Sequence, residues 1–348
     1  MRPERQAASP RTPVGRRLPP GWRVPLAAGA LLAGVALAAL LLRCAAGEPA
    51  PADGERLKRI DAARERLRPL HTRLGKPRPG DWLERFKEPG QSFNEYLVSR
   101  PVTPQGRRSV LYIQPLGAFE KKQREIVDLT AEFMRIYFNG VVKVKEDLPL
   151  DVIPEKARRV HPTWGVKQVL AGYVLDEVLK PRLPEDAAAY IAFTASDLWP
   201  GEGWNFVFGM ASLRERVGVW SINRNGDANG DAAAFRLCLM RTLKTATHET
   251  GHMFSIAHCT AYECNMCGSN NREEADRRPV FCCPECAAKI WWACRADPVE
   301  RYRRLWAFFE THGFKDEAGF CRKSVLALGG EDRPAGAAAE GAKEEAGR

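Results

Sequence analysis

Histidine is scarce in this chain, with six residues among 348, and no segment repeats another. Without a repeat there is no basis for a solenoid or a propeller, which need a unit recurring at a fixed period. A clustered basic face is also missing. The net charge of +10 comes from 53 Lys and Arg against 43 Asp and Glu. Half of that excess sits in the first 23 residues, where Arg2, Arg5, Arg11, Arg16, Arg17 and Arg23 oppose only Glu4. What remains is too dispersed for a nucleic-acid footprint. Hydrophobic content of 45% and charged content of 28% are those of a globular protein with a sizeable core.

Charged side chains are absent from Val24 to Leu42, 19 positions closed by Arg23 and Arg43. At about 1.5 Å per residue a helix of that length nearly spans a bilayer core. It exceeds the about 7–15 residues of a signal-peptide core. The expectation is a transmembrane signal anchor within residues 1–45. Its basic flank stays in the cytoplasm, which places the C-terminal bulk of the chain outside. A cleaved signal peptide is the alternative, because Ala45, Ala46 and Gly47 follow at once. Residues 46–107 are rich in Pro, Arg, Glu and Ala and read as a linker, with a short charged helix from Glu55 to Leu70. Bulky apolar residues give out again near the end, so residues 327–348 are expected to be a disordered tail.

One domain is expected over residues 108–326. Ser109 to Ile113, Val141 to Val144 and Ala189 to Phe193 are strand candidates, as are Asn205 to Met210 and Val217 to Ile222. Phe119 to Phe138 carries Ile126, Leu129, Phe133 and Tyr137 at helical spacing. Gly165 to Leu179 and Ala232 to Phe254 are two further helix candidates. Arg224 to Asp231 alternates Asp and Asn as a calcium loop does, but it lacks the glutamate at the twelfth position and reads as a plain loop. This order predicts an α+β domain, a mixed sheet backed by helices.

Three of the six histidines fall within eleven residues. His248-Glu249-Thr250-Gly251-His252 lies near the end of the last predicted helix. Positions i and i+4 share a face, so both imidazoles can reach one ion at about 2.0–2.1 Å. Glu249 falls between them and can take the proton of a metal-bound water, whose pKa zinc lowers to about 7. His258 follows six residues after His252, so the chain must turn sharply to bring it back as a third ligand. His71, His161 and His312 have no such context and read as surface or core histidines.

Seven of the ten cysteines lie between Cys259 and Cys294. Cys259 and Cys264, then a gap of 18 residues, then Cys283 and Cys286 have the spacing of a zinc site. Four thiolates leave no open position and make a closed, structural site. Two disulfides are the competing reading, given the expected export. Cys267 and Cys282 are near enough in sequence to replace a ligand. Cys238 reads as a small core residue; Cys44, Cys294 and Cys321 have no assigned role.

Together these residues resemble the archaemetzincins, a branch of the metzincin metallopeptidases. That family's pattern is His-Glu-x-x-His-x-x-Gly-x-x-His-Cys, then four residues, Cys-x-Met, a spacer near 17 and Cys-x-x-Cys. Here it is carried by His248 to His252, His258-Cys259, Cys264-Asn265-Met266 and Cys283-Pro284-Glu285-Cys286. Leu111 to Gly117, Asp197 to Pro200, Asn205 to Gly209 and Asp276-Arg277-Arg278 are similar to the family as well, so the resemblance covers about Ser109 to Lys289. It implies a metzincin-like mixed sheet whose active-site helix leads into a cysteine-bound zinc subdomain. It also implies two zinc ions, one catalytic on His248, His252 and His258 and one structural on Cys259, Cys264, Cys283 and Cys286. Met266 would be the Met-turn residue, and a peptide or protein the substrate. One position departs: the family's glycine after the second histidine is Ser255. A non-glycine residue in a left-handed turn costs about 1–2 kcal/mol.

The function expected is therefore zinc-dependent peptide hydrolysis. A non-catalytic zinc-binding module that braces a protein surface is the alternative, and the intact Glu249 argues against it. Nucleic-acid binding through the cysteine cluster with Arg272, Arg277 and Arg278 is disfavoured, because no aromatic residues stand among those arginines.

Overall fold

Two apolar runs become the central strands. The computed structural model describes residues 51–212 and 215–336, and it divides into units at Arg59 and Ile60. Of the first unit, only the start of a helix, α1 (Pro51–Leu67), is described. In the second unit, β1 (Val110–Leu116) and β5 (Ala187–Thr194) are buried along their whole length. A five-stranded sheet forms in the order β2-β1-β5-β8-β7 with β2 (Val141–Val144), β7 (Gly209–Ser212) and β8 (Val217–Ser221). The first four strands run parallel and β7 runs antiparallel to β8. Parallel strands covered on both faces need near-continuous apolar sequence, and both central strands supply it. A second sheet orders β3 (Arg158–Val160), β4 (Lys167–Leu170) and β6 (Asp197–Trp199) as β3-β4-β6. The α+β class expected from the element order is what the chain adopts.

Helix α2 (Phe93–Val98) precedes the sheet, and α3 (Lys121–Tyr137) buries Ile126, Val127, Thr130, Phe133, Met134 and Tyr137. It packs against the long helix α4 (Ala232–Met253). After α5 (Arg272–Arg277) come α6 (Pro284–Ala293), α7 (Pro298–Thr311) and α8 (Lys315–Ala327). Phe308 and Phe309 of α7 lie 5.1 and 5.5 Å from the Phe133 ring.

Four expectations change. The helix expected from Gly165 begins only at Ala171, and Lys167–Leu170 is a strand. Gln168 explains the switch. Its buried amide donates to Asp197 Oδ2, on the neighbouring strand β6, at 2.7 Å and to the Asn205 carbonyl, in the loop after β6, at 2.8 Å. The strand expected at Asn205 starts at Gly209 instead. Residues 46–107 are not a linker from Ile60 onward: Ile60, Ala63, Leu67, Phe93 and Tyr96 are buried. A sparse apolar stripe was concealed there by charge-rich composition. The tail is held at its start, where Ala335 N donates to Arg303 O at 3.1 Å; residues 337–348 lie outside the described residues. So does the anchor expected at Val24 to Leu42. Among the described residues no helix is long and apolar enough to cross a membrane.

Candidate metal centre

Helix α4 sets the direction of the motif. Asp231 caps it, its carboxylate accepting from Ala233 N and Ala234 N at 2.9 and 2.8 Å. The alternating Asp/Asn loop before it is thus a capping loop. Cys238, Leu239, Thr242, Leu243, Ala246, Thr247, Thr250 and Gly251 form the buried stripe. The opposite, half-buried side then carries Lys244, Thr245, His248, Glu249 and His252.

The helix stops in two paired turns: Ser255 N donates to His252 O at 2.9 Å and Ile256 N to Gly251 O at 3.1 Å. This pattern requires a left-handed residue, and Ser255 takes it with φ of 66°. Its hydroxyl accepts from Val102 N at 3.0 Å, a contact glycine could not make. The reversal brings His258 back to the helix. The ring centroids of His248, His252 and His258 lie 4.5, 4.7 and 5.4 Å apart pairwise.

Each imidazole is held from behind through Nδ1. His248 faces the Asn265 carbonyl at 2.7 Å and His252 the Ile256 carbonyl at 2.6 Å. His258 faces both oxygens of Glu88 at 3.0 and 2.9 Å. Carbonyls and carboxylates only accept, so each Nδ1 carries the proton and each Nε2 presents a lone pair. The Nε2 atoms of His248 and His252 are 3.0 Å apart. Burial, then the neighbouring His258, lowers the His248 pKa to about 4; burial, then His248, lowers that of His252 to about 3. Both rings are therefore neutral at neutral pH, and their facing lone pairs suit a metal cation. The donor set fits zinc, and the one candidate ligand atom from each histidine lies within 4.8 Å of the others.

Glu249 and His248 line a cleft of about 110 Å³ with Phe208, Lys244, Thr245 and Asn265. Burial raises the Glu249 pKa. No described residue hydrogen-bonds its carboxylate. Met266 is fully buried beneath the helix; a Cβ on Gly251 would lie 2.7 Å from its Sδ. A larger cavity, about 370 Å³, lies among Leu74, Lys76, Asp81, Glu263 and Arg277 and contains none of these residues.

Cys259, Cys264, Cys283 and Cys286 form a second, buried group. The Cys259 and Cys283 sulfurs are 3.6 Å apart, far beyond the about 2.05 Å of a disulfide, and no disulfide joins the described cysteines. Cys264 Sγ accepts from Met266 N and Cys283 N at 3.4 and 3.2 Å. Thiols of Cys264, Cys267, Cys283 and Cys286 pull Cys259 well below its usual value, while burial pushes Cys264 up. Four buried sulfurs gathered in one place are the donor set of a closed cation site. The two neighbouring cysteines touch this group and have further partners: Cys267 donates to Tyr262 O at 3.2 Å and Cys282 Sγ meets Tyr137 Oη at 3.2 Å. Cys238 is a core thiol, raised to about 11 by burial. His161 is buried and accepts from Thr163 N and Trp164 N, His71 packs on Phe320, and His312 on Phe308. None of the three joins a cluster.

Two helix-borne histidines joined by a third from the following turn, over a buried methionine, define a zinc metallopeptidase of the metzincin type. The description "Peptidase family M54" matches residues 109–291. The chain is 34% identical over 259 residues to archaemetzincin-2 of Homo sapiens, covering 65% of this chain and 71% of that one. It is 34% identical over 185 residues to the archaemetzincin of Thermococcus kodakarensis, covering 52% and 95%. A crystal structure of the Methanopyrus kandleri archaemetzincin aligns with a TM-score of 0.43 and 28% identity over 56% of this chain and 99% of that one. The chain belongs to peptidase family M54, the archaemetzincins, and is a zinc-dependent peptidase.

Three backing groups had no expectation from sequence: Asn265, the Ile256 carbonyl and Glu88. Asn265 stands inside the Cys264–Met266 motif, where its adjacency was the available signal. Nothing in the sequence marks Glu88.

Proposed function

We propose that His248, His252 and His258 hold the catalytic zinc, that Glu249 is the general base, and that Cys259, Cys264, Cys283 and Cys286 hold a second, structural zinc. The observation that carries this reading is the convergence of three Nε2 lone pairs, each enforced by a donor bond from its own Nδ1. A zinc ion held by His248, His252 and His258 would supply polarisation of the peptide carbonyl and acidification of the attacking water. Glu249 accepts the proton of that water and passes it to the departing amine. With no hydrogen bond to it among the described residues, both of its oxygens are available for this. The cleft beside His248 and Glu249 is where a substrate carbonyl would approach. Met266 and Gly251 keep the floor of the site in register.

Glu249→Gln tests the base directly. Zinc content should match wild type while peptide hydrolysis falls by about 10²–10⁴-fold. Hydrolysis at the wild-type rate would favour a non-catalytic zinc module instead. Anchoring is proposed too: the uncharged run from Val24 to Leu42 and its basic flank support an enzyme held at a membrane with its catalytic domain outside the cytoplasm. Resistance of the full chain to alkaline carbonate extraction tests it, and release would refute it.

A further inference from the structure

We infer that Glu88, which lies ahead of the matched family region 109–291, is a positioning residue of the three-histidine site. The inference rests on the reading above, in which those histidines hold zinc.

The three ligands are not backed alike. His248 and His252 lean on neutral backbone carbonyls within twenty residues of themselves. His258 leans on a full carboxylate 170 positions away, with both Glu88 oxygens at hydrogen-bond distance from Nδ1. A carboxylate behind an imidazole fixes its tautomer and ring orientation and makes the far nitrogen more basic. His258 is also the ligand in greatest need of this, because it stands on a turn rather than on α4.

The segment around Glu88 is clamped to that turn on both sides. Before it, the Trp82 ring meets the His258 ring edge-on at 5.3 Å. Trp82 sits so close to Gly268 that any side chain there would collide, and Trp82 N donates to Glu274 Oε2 at 2.9 Å. After it, Gln91 spans the turn, its Nε2 donating to Ser255 O at 3.3 Å and its Oε1 accepting from Ala257 N at 3.2 Å. The Gln91 carbonyl in turn takes the ammonium of buried Lys289 at 2.5 Å. Val102 N reaches the Ser255 hydroxyl. Residues 82–102 thus hold a non-glycine turn in shape and aim its histidine. The stretch whose composition resembles a linker is part of the metal site.

The test uses the full chain with Glu88→Gln and Glu88→Ala, loaded with zinc and titrated with a chelator. The cysteine-held zinc serves as the reference within each molecule. The near-isosteric glutamine can still accept from Nδ1 but lacks the charge, so the histidine site should lose affinity, with alanine losing more, about 10–100-fold. Cobalt(II) placed in the histidine site should show a shifted visible spectrum in both variants. Affinity and spectrum equal to wild type in both would overturn the inference, including where thermal stability falls, since Glu88 would then only brace the fold. His252→Ala separates the two levels. If it keeps its full zinc content, the histidine-site reading fails. If it loses one zinc and the Glu88 variants bind normally, only the role of Glu88 fails.

Discussion

The two groups proposed to hold metal meet at adjacent residues, His258 and Cys259, yet they are built in opposite ways. The histidines are half-buried and stand on a helix end and a turn, and His248 borders a cleft. Their backing groups accept hydrogen bonds, which aims lone pairs outward at one point. The cysteines are fully enclosed, and backbone N–H groups donate to Cys264 Sγ from behind. One arrangement leaves room for water and a substrate, and the other leaves none. Openness, rather than ligand chemistry alone, separates a site that reacts from one that braces.

The largest expected effect is on the closed side. Cys283→Ala removes one of the four sulfurs proposed to hold the structural zinc. Structural zinc contributes on the order of 10–16 kcal/mol of folding free energy in small domains. The variant should fail to give a folded chain by circular dichroism, whereas His252→Ala should fold. Equal folding of the two would break the comparison. A smaller effect is expected at Gly251, where the open and closed regions touch through Met266. Gly251→Ala places a methyl 2.7 Å from the Met266 sulfur. Overpacking of this kind destabilises by about 1–3 kcal/mol, readable by urea unfolding. The smallest belongs to Ser255→Gly. Relief of the left-handed backbone favours the variant by about 1–2 kcal/mol. Loss of the hydroxyl bond to Val102 N opposes it by about 0.5–1.5 kcal/mol. Net stability should change by less than about 1 kcal/mol on the same unfolding curve; a large destabilisation would mean that the hydroxyl matters more than the backbone.

Much of the site was legible because its signals are local. The i, i+4 spacing of His248 and His252 fixes a shared helix face, and the cysteine spacing predicts a closed group. The Ser255 departure also stood out, and the structure shows a serine in the left-handed turn with a partner for its hydroxyl. What escaped was long-range. Gln168 belongs to a strand because of Asp197 and Asn205, contacts that helical periodicity cannot anticipate. Glu88 reaches His258 across 170 positions, and its charge-rich neighbourhood resembles solvated linker. Ile60, Leu67, Phe93 and Tyr96 are spaced too thinly among charges to announce burial.

Zinc content measured on the purified full chain and on His252→Ala tests the account most directly. Two zinc ions per wild-type chain, falling to one in the variant with peptidase activity lost, is the result predicted from an open histidine site beside a closed cysteine site. Full zinc retention in His252→Ala, or a single zinc in wild type that the variant keeps, would contradict it.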